Sequence, residues 1–251
     1  MTGPVKEVGH VFLARLGKKR LRPGGKTATN WLMAKAAPKA GEDVLEVACN
    51  QGTTLLELAR LGCRTTGLDM DASALEKARA NLAAAGFEKS VTLVKGDARR
   101  LPFPDGSFDL IVNEAMLTML GPTSRKEALK EYFRVLRPGG RLATHDVALL
   151  EPDRQIGPEL GRAINACVYP ETAEEWKRQM EEAGFETVET ELFEFSLMTP
   201  LGMLRDEGLF GTLKIRLRAA HPENREFFTQ MKTYFDSNKE MLRAIAVVSR
   251  K

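Results

Sequence analysis

Cysteine is scarce: Cys49, Cys63 and Cys167 are the whole complement of the 251 residues, odd in number and far apart. That excludes a disulfide framework and a paired-cysteine metal site, and no metal is expected. No apolar run approaches the roughly 18 residues that a membrane span needs, so no membrane partner is expected. The opening stretch, MTGPVKEVGHVFLARLGKKR, has no apolar core followed by a small-residue cleavage site, and no leader is read there. Phe12 is the single aromatic among the basic residues of the N-terminus, which argues against a surface for single-stranded nucleic acid. A reduced, cytoplasmic setting follows as the expectation.

Charge is present but unevenly placed. Residues 1–26 carry a net +6 while the whole chain carries only +3, so the remainder is mildly acidic. Such an arm is either a solvated terminus or a contact for something anionic. Within it, Pro23–Thr27 reads PGGKT, like the end of a phosphate-binding loop. The glycine that motif needs five residues before Gly25 is Arg20, and no strand-like run precedes it, so nucleoside triphosphate hydrolysis is excluded.

From Thr27 onwards short apolar runs alternate with amphipathic stretches. DVLEVA, RTTGLDM, VTLVKGD, FDLIVNEA and RLATHDVA read as strands, with helices between them. Runs of that length between helices are strands buried on both faces of a parallel sheet. The expected fold is α/β: a doubly wound sheet with helices on both faces. ETVETELFEFSL and the final AIAVVS are two further strands, separated by a polar, mostly helical insertion. That order predicts an antiparallel last pair. A single domain over 1–251 is expected, with a helical arm at 1–40 and an insertion at 198–240 as material for a lid.

In an open α/β sheet a ligand sits beyond the C-terminal ends of the central strands. The first strand leads into LEVACNQGTT, where three small or turn-tolerant residues alternate: Ala48, Asn50 and Gly52. Asn tolerates the left-handed conformation and can replace glycine. Ala48 fits at little cost with a negative φ. Gly52 opens the next helix, where amides can face an anionic group. Asp69 ends the second strand, and its carboxylate can accept two ribose hydroxyls. Asp71 suits a helix cap, and Asp97 ends the third strand within reach of an adenine amino group.

These segments resemble the class I S-adenosylmethionine-dependent methyltransferases. LEVACNQG is similar to their first motif, TGLDMD to the second, GDARRLPFPDGSFDLIVNEA to the third and fourth, and ALKEYFRVLRPGGRL to the segment that follows. The resemblance runs from about Ala40 to Phe193 and over the last strand, and lies nearest the small-molecule branch around quinone biosynthesis. It implies a seven-stranded sheet of order 3-2-1-4-5-7-6. It implies S-adenosyl-L-methionine as cofactor, with Glu46 on the methionine amino end, Asp69 on the ribose and Asp97–Ala98 on the adenine edge. Met70 would pack on the adenine face and Asn113 contact the methionyl part.

Methyl transfer needs alignment and exclusion of water, and a base only where the acceptor must lose a proton. His145, Glu114 and Asp146 are the candidate bases, with Asp146 placed to orient His145. The chain has NEAM where amino-methylating nucleic-acid enzymes carry an [ND]-P-P-[YFW] segment. A small-molecule acceptor under a lid containing Met198, Met203, Leu204 and Phe210 is therefore expected, with Arg205, Asp206 and Glu207 on its polar end. Two alternatives stay open: a cofactor-binding regulator without catalysis, and a nicotinamide-dependent oxidoreductase.

Overall fold

Residues 7–251 are described in the computed structural model; of the basic arm, Lys6 lies outside the described residues. The arm forms α1 (Gly9–Leu16) and α2 (Gly25–Ala36). The alternating region follows as β1 (Asp43–Val47), α3 (Thr53–Arg60), β2 (Arg64–Asp69), α4 (Ala72–Ala84), β3 (Val91–Lys95), β4 (Phe108–Glu114), α5 (Pro122–Val135) and β5 (Leu136–Leu149). Then come α6 (Ile156–Ile164), β6 (Glu171–Thr172), α7 (Ala173–Glu182), β7 (Thr187–Glu194), α8 (Pro200–Ala219), α9 (Pro222–Ser237) and β8 (Leu242–Arg250). Side-chain caps fix several starts: Asp71 accepts from the Ser73 amide, Thr172 from Glu175 and Thr199 from Gly202.

The sheet runs β3-β2-β1-β4-β5-β8-β7, with β6 paired to β5 off that path. β1 through β5 are parallel neighbours, whereas β8 is antiparallel to both β5 and β7. The expected seven-stranded order differs from this by β6, a two-residue strand with too little apolar pattern to be read beforehand. One face of the sheet packs Leu129 and Tyr132 of α5 and Trp176 of α7 against β1, β4 and β5. The other packs Leu32 of α2 and Leu58 of α3 against Val44, Val112 and Ala246.

A second apolar core lies at one end of the sheet, where Leu149 of β5 and Leu242 of β8 join it. Phe12, Leu13 and Leu16 of α1 meet Leu160 of α6, Met203 and Ile215 of α8, and Met231 and Phe235 of α9. The arm and the insertion thus build one cap. Met198 and Met203 are buried in it, while Leu204 and Phe210 are 44% and 86% exposed, so these four do not roof a pocket. Asp206 and Glu207 are likewise committed to the arm. Lys18 Nζ lies 3.1 Å from Asp206 and 3.7 Å from Glu207, and the Lys19, Arg20 and Lys26 amides donate to the same two carboxylates.

Candidate functional site

β1 ends at Val47, and Ala48, Asn50 and Gly52 then take positive φ of 58°, 45° and 75°. Asn and Gly adopt this region readily. Ala48 does not, so its expected negative φ is corrected: the tight loop forces all three alternate positions into the left-handed region. Asp69 holds the loop from the neighbouring strand. Its Oδ2 accepts from the Asn50 amide and its Oδ1 from the Asp71 amide, each at 2.9 Å. Each oxygen keeps a further lone pair.

Beyond these strand ends lies a cavity of about 920 Å³. That is at the upper end of the range for small-molecule sites and holds a nucleoside-sized cofactor with room beside it. Glu46, Ala48, Asn50, Asp69, Met70, Asp97 and Ala98 line it together. Gly52 stands just behind, at the start of α3. Glu46 is buried, and its Oε2 has no hydrogen-bond partner among the described residues. Burial pushes its carboxyl up to about 8, against the pull of the Arg22 guanidinium and with the push of Glu114. A carboxyl of that kind is poised to ionise when a cation arrives. Met70 is 61% exposed and lines the cavity, so it is not core. Asp97 is paired with Arg99 at 2.6 Å, which holds its carboxyl below the usual range.

The candidate bases are placed otherwise than expected. Glu114 lines the cavity but is buried and fully engaged. Arg22 stands 3.0 Å from its Oε2, Thr54 donates to the same oxygen, and Thr29 donates to Oε1 at 2.7 Å. Burial alone would raise this carboxyl; Arg22, His145 and Thr29 outweigh it and hold it at about 2. His145 is fully buried and absent from the cavity wall. Its Nε2 accepts from the Gly24 amide at 3.0 Å, which leaves Nδ1–H to donate to Glu114 Oε1 at 3.2 Å. Gly24 must be glycine for this approach, since a Cβ there would meet Ala28 at 2.6 Å and Ala244 at 2.9 Å.

Asp146 does not orient His145, because adjacent strand residues point to opposite faces. It accepts instead from the Met116, Thr118 and Val147 amides. Asn113 is corrected for the same reason. Its side chain leaves the cavity and donates to the Val47 carbonyl and the Tyr132 hydroxyl, both at 3.4 Å. Sequence reasoning missed much of the wall that the arm supplies, with His10, Val11 and Ala14 among it. The arm's excess of positive charge signalled a contact but not which side chains would face it. His10 is exposed at the mouth, and partial enclosure disfavours its imidazolium against the pull of Asp69 and Asp71.

The family described as "Methyltransferase domain" matches residues 44–140, the stretch holding β1 through the first residues of β5. A protein of Haemophilus influenzae is 50% identical over 247 residues, 98% of each chain. A demethylmenaquinone methyltransferase of Clavibacter sepedonicus is 31% identical over 175 residues, covering 61% of this chain and 69% of that protein. A methyltransferase of Geobacter sulfurreducens, solved with S-adenosyl-L-homocysteine, shares the fold at a TM-score of 0.70 and 18% identity, over 99% of this chain and 100% of that one. With the loop after β1, the acid ending β2 and the sheet order already in place, these matches establish that the chain belongs to the class I S-adenosylmethionine-dependent methyltransferases.

Proposed function

We propose that this chain transfers a methyl group from S-adenosylmethionine to a small, largely apolar acceptor of the kind that quinone-biosynthesis methyltransferases use. The partnerless Glu46 Oε2 on the cavity wall carries this reading, because it is the counter-charge that an amino-acid ammonium group requires. The remaining residues fit the same cofactor. Asp69 offers two accepting oxygens to a ribose, Met70 an apolar face to a base, and Asp97–Ala98 an edge for its amino group. The likeness to a demethylmenaquinone methyltransferase supports the acceptor class, as do Leu21 of the arm and Met116, Met119 and Leu120 after β4 on the wall.

When bound, the cofactor supplies an electrophilic methyl carbon on a sulfonium sulfur. The chain's own part is to align the acceptor and exclude water. The arm is suited to both tasks. Its segment 18–26 is tied to α8 through Asp206 and Glu207 and to the sheet through Arg22, and it can act as a lid. Neither His145 nor Asp146 serves as the base in this reading, and Glu114 anchors the arm. The test is a labelled-methyl assay on a panel of phenols and quinols, beside calorimetry with S-adenosylmethionine and NADH. Labelled product with S-adenosylhomocysteine is expected, and no heat from NADH. Cofactor binding without transfer to any acceptor would point to the regulator and overturn catalysis.

A further inference from the structure

Next to the main cavity lies a smaller one of about 90 Å³, sharing with it the wall residues His10, Leu21, Ala115 and Met119. It opens at the ends of β4 and β5, where the fold places its ligands. Its far walls come from the cap and are apolar, with Leu13, Leu160, Phe195, Met231 and Phe235 among them. Besides His10 at the mouth shared with the main cavity, two buried polar groups interrupt this hydrocarbon. Thr118 is 2% exposed, and its Oγ1 has no hydrogen-bond partner among the described residues. Asp146 is 1% exposed; Oδ2 accepts from the Met116 and Thr118 amides, each at 3.1 Å, and Oδ1 from Val147 at 2.8 Å. A carboxylate has about four lone-pair sites, so Asp146 keeps roughly one.

We propose that this side cavity is the recognition subsite for the acceptor, selecting an apolar ring or branched chain that bears one hydroxyl, with Thr118 and Asp146 as the hydroxyl's partners. Buried polar groups without partners are rare and call for an explanation. Here a single ligand group satisfies both, because a hydroxyl can donate to the spare lone pair of Asp146 and accept from Thr118. An ammonium fits worse. It brings three donors where the buried part of the wall has two acceptors. A ligand without a polar group leaves Thr118 as it is. Ala115, between the two cavities, has a φ of 56°, and such strain on a residue other than glycine gathers at functional sites.

The subsite's role as an acceptor site rests on the methyl-transfer reading, and the experiment separates the two. Phenol, toluene and benzylamine are titrated into the full-length protein carrying labelled methionine methyls, with and without saturating S-adenosylhomocysteine. Met119 and Met231 report from the walls. Phenol is expected to shift both signals saturably and to bind about tenfold or more tighter than toluene, with benzylamine weaker than phenol. Thr118→Val should bring phenol within about threefold of toluene, and Thr118→Ser should keep the preference. The valine variant should melt no lower than the parent, since it removes an unsatisfied hydroxyl. Equal binding of phenol and toluene, or a phenol titration that leaves Met231 unmoved in both samples, would overturn the subsite whatever the cofactor does. A protein that binds phenol here but not S-adenosylhomocysteine keeps the subsite and loses the methyltransferase reading.

Discussion

Asp69 has two tasks at once: it fixes the loop after β1 through the Asn50 amide and turns its remaining lone pairs toward the cavity. Asp69→Ala is therefore expected to weaken S-adenosylhomocysteine binding by roughly 1.5–3 kcal/mol, the scale of lost charge-assisted hydrogen bonds. Calorimetry on the folded variant checks this, and unchanged affinity would remove Asp69 from the site. The loop it holds gives a second expectation. With Ala48 at a φ of 58° and Asn50 at 45°, both side chains stand where glycine is most at ease. Asn50→Gly should bind normally, whereas Asn50→Val should lose binding, because a branched Cβ resists positive φ. Ala48→Gly should stabilise by about 0.5–1 kcal/mol through relief of that strain. Urea melts of the three variants read the order directly, and a valine variant as stable as the parent would show that the loop is not held as described.

At the scale of elements, the arm is the part that sequence described least well. Local periodicity made β1 to β5 and the helices between them legible, and Asp71 announced the start of α4, because a strand, a helix and a cap are each specified by neighbours in the chain. Which way His145, Asp146 and Asn113 point was not legible, since a shift of one residue in register reverses every side chain. The arm's position depends on partners far away: the Gly24 amide meets His145 across 121 residues. From the sequence, removal of residues 1–26 is expected to leave a folded protein that binds cofactor but loses transfer; in the structure it would strip Phe12, Leu13 and Leu16 from the cap and Arg22 from the buried Glu114. The truncated chain is therefore expected to melt well below the full one. Arg22→Met isolates the electrostatic part. It leaves a buried carboxylate without its cation, a change that typically costs about 3–5 kcal/mol. Urea denaturation measures it, and a loss under about 1 kcal/mol would mean that Arg22 does not hold the arm. If the arm closes as a lid, S-adenosylhomocysteine should slow amide exchange over residues 20–27.

Over the whole molecule, the two buried carboxylates of the site make stability depend on pH in opposite directions. Glu114, held at about 2 against an ordinary 4.5, contributes stability that is full above 4.5 and is lost as pH falls toward 2. Glu46 behaves inversely. At about 8 in the folded chain it keeps a proton that the unfolded chain has released above 4.5, so the empty protein loses stability as pH rises from 4.5 through 8. The loss runs at up to about 1.4 kcal/mol per pH unit. Arg22 lies between the two and serves Glu114 at 3.0 Å, which leaves Glu46 Oε2 without a partner until a ligand brings a cation. An amino-acid ammonium, ordinarily charged up to about 7.7–8.0, can be that cation over the whole window. Binding then ionises Glu46 and cancels its penalty. The rise in melting temperature given by a fixed excess of S-adenosylhomocysteine should accordingly grow from pH 5.5 to 7.5, with close to one proton released on binding at the lower end. Glu46→Gln has nothing to titrate there and should lose that slope. A ligand-induced shift independent of pH in the parent protein would show that Glu46 does not face the ammonium group.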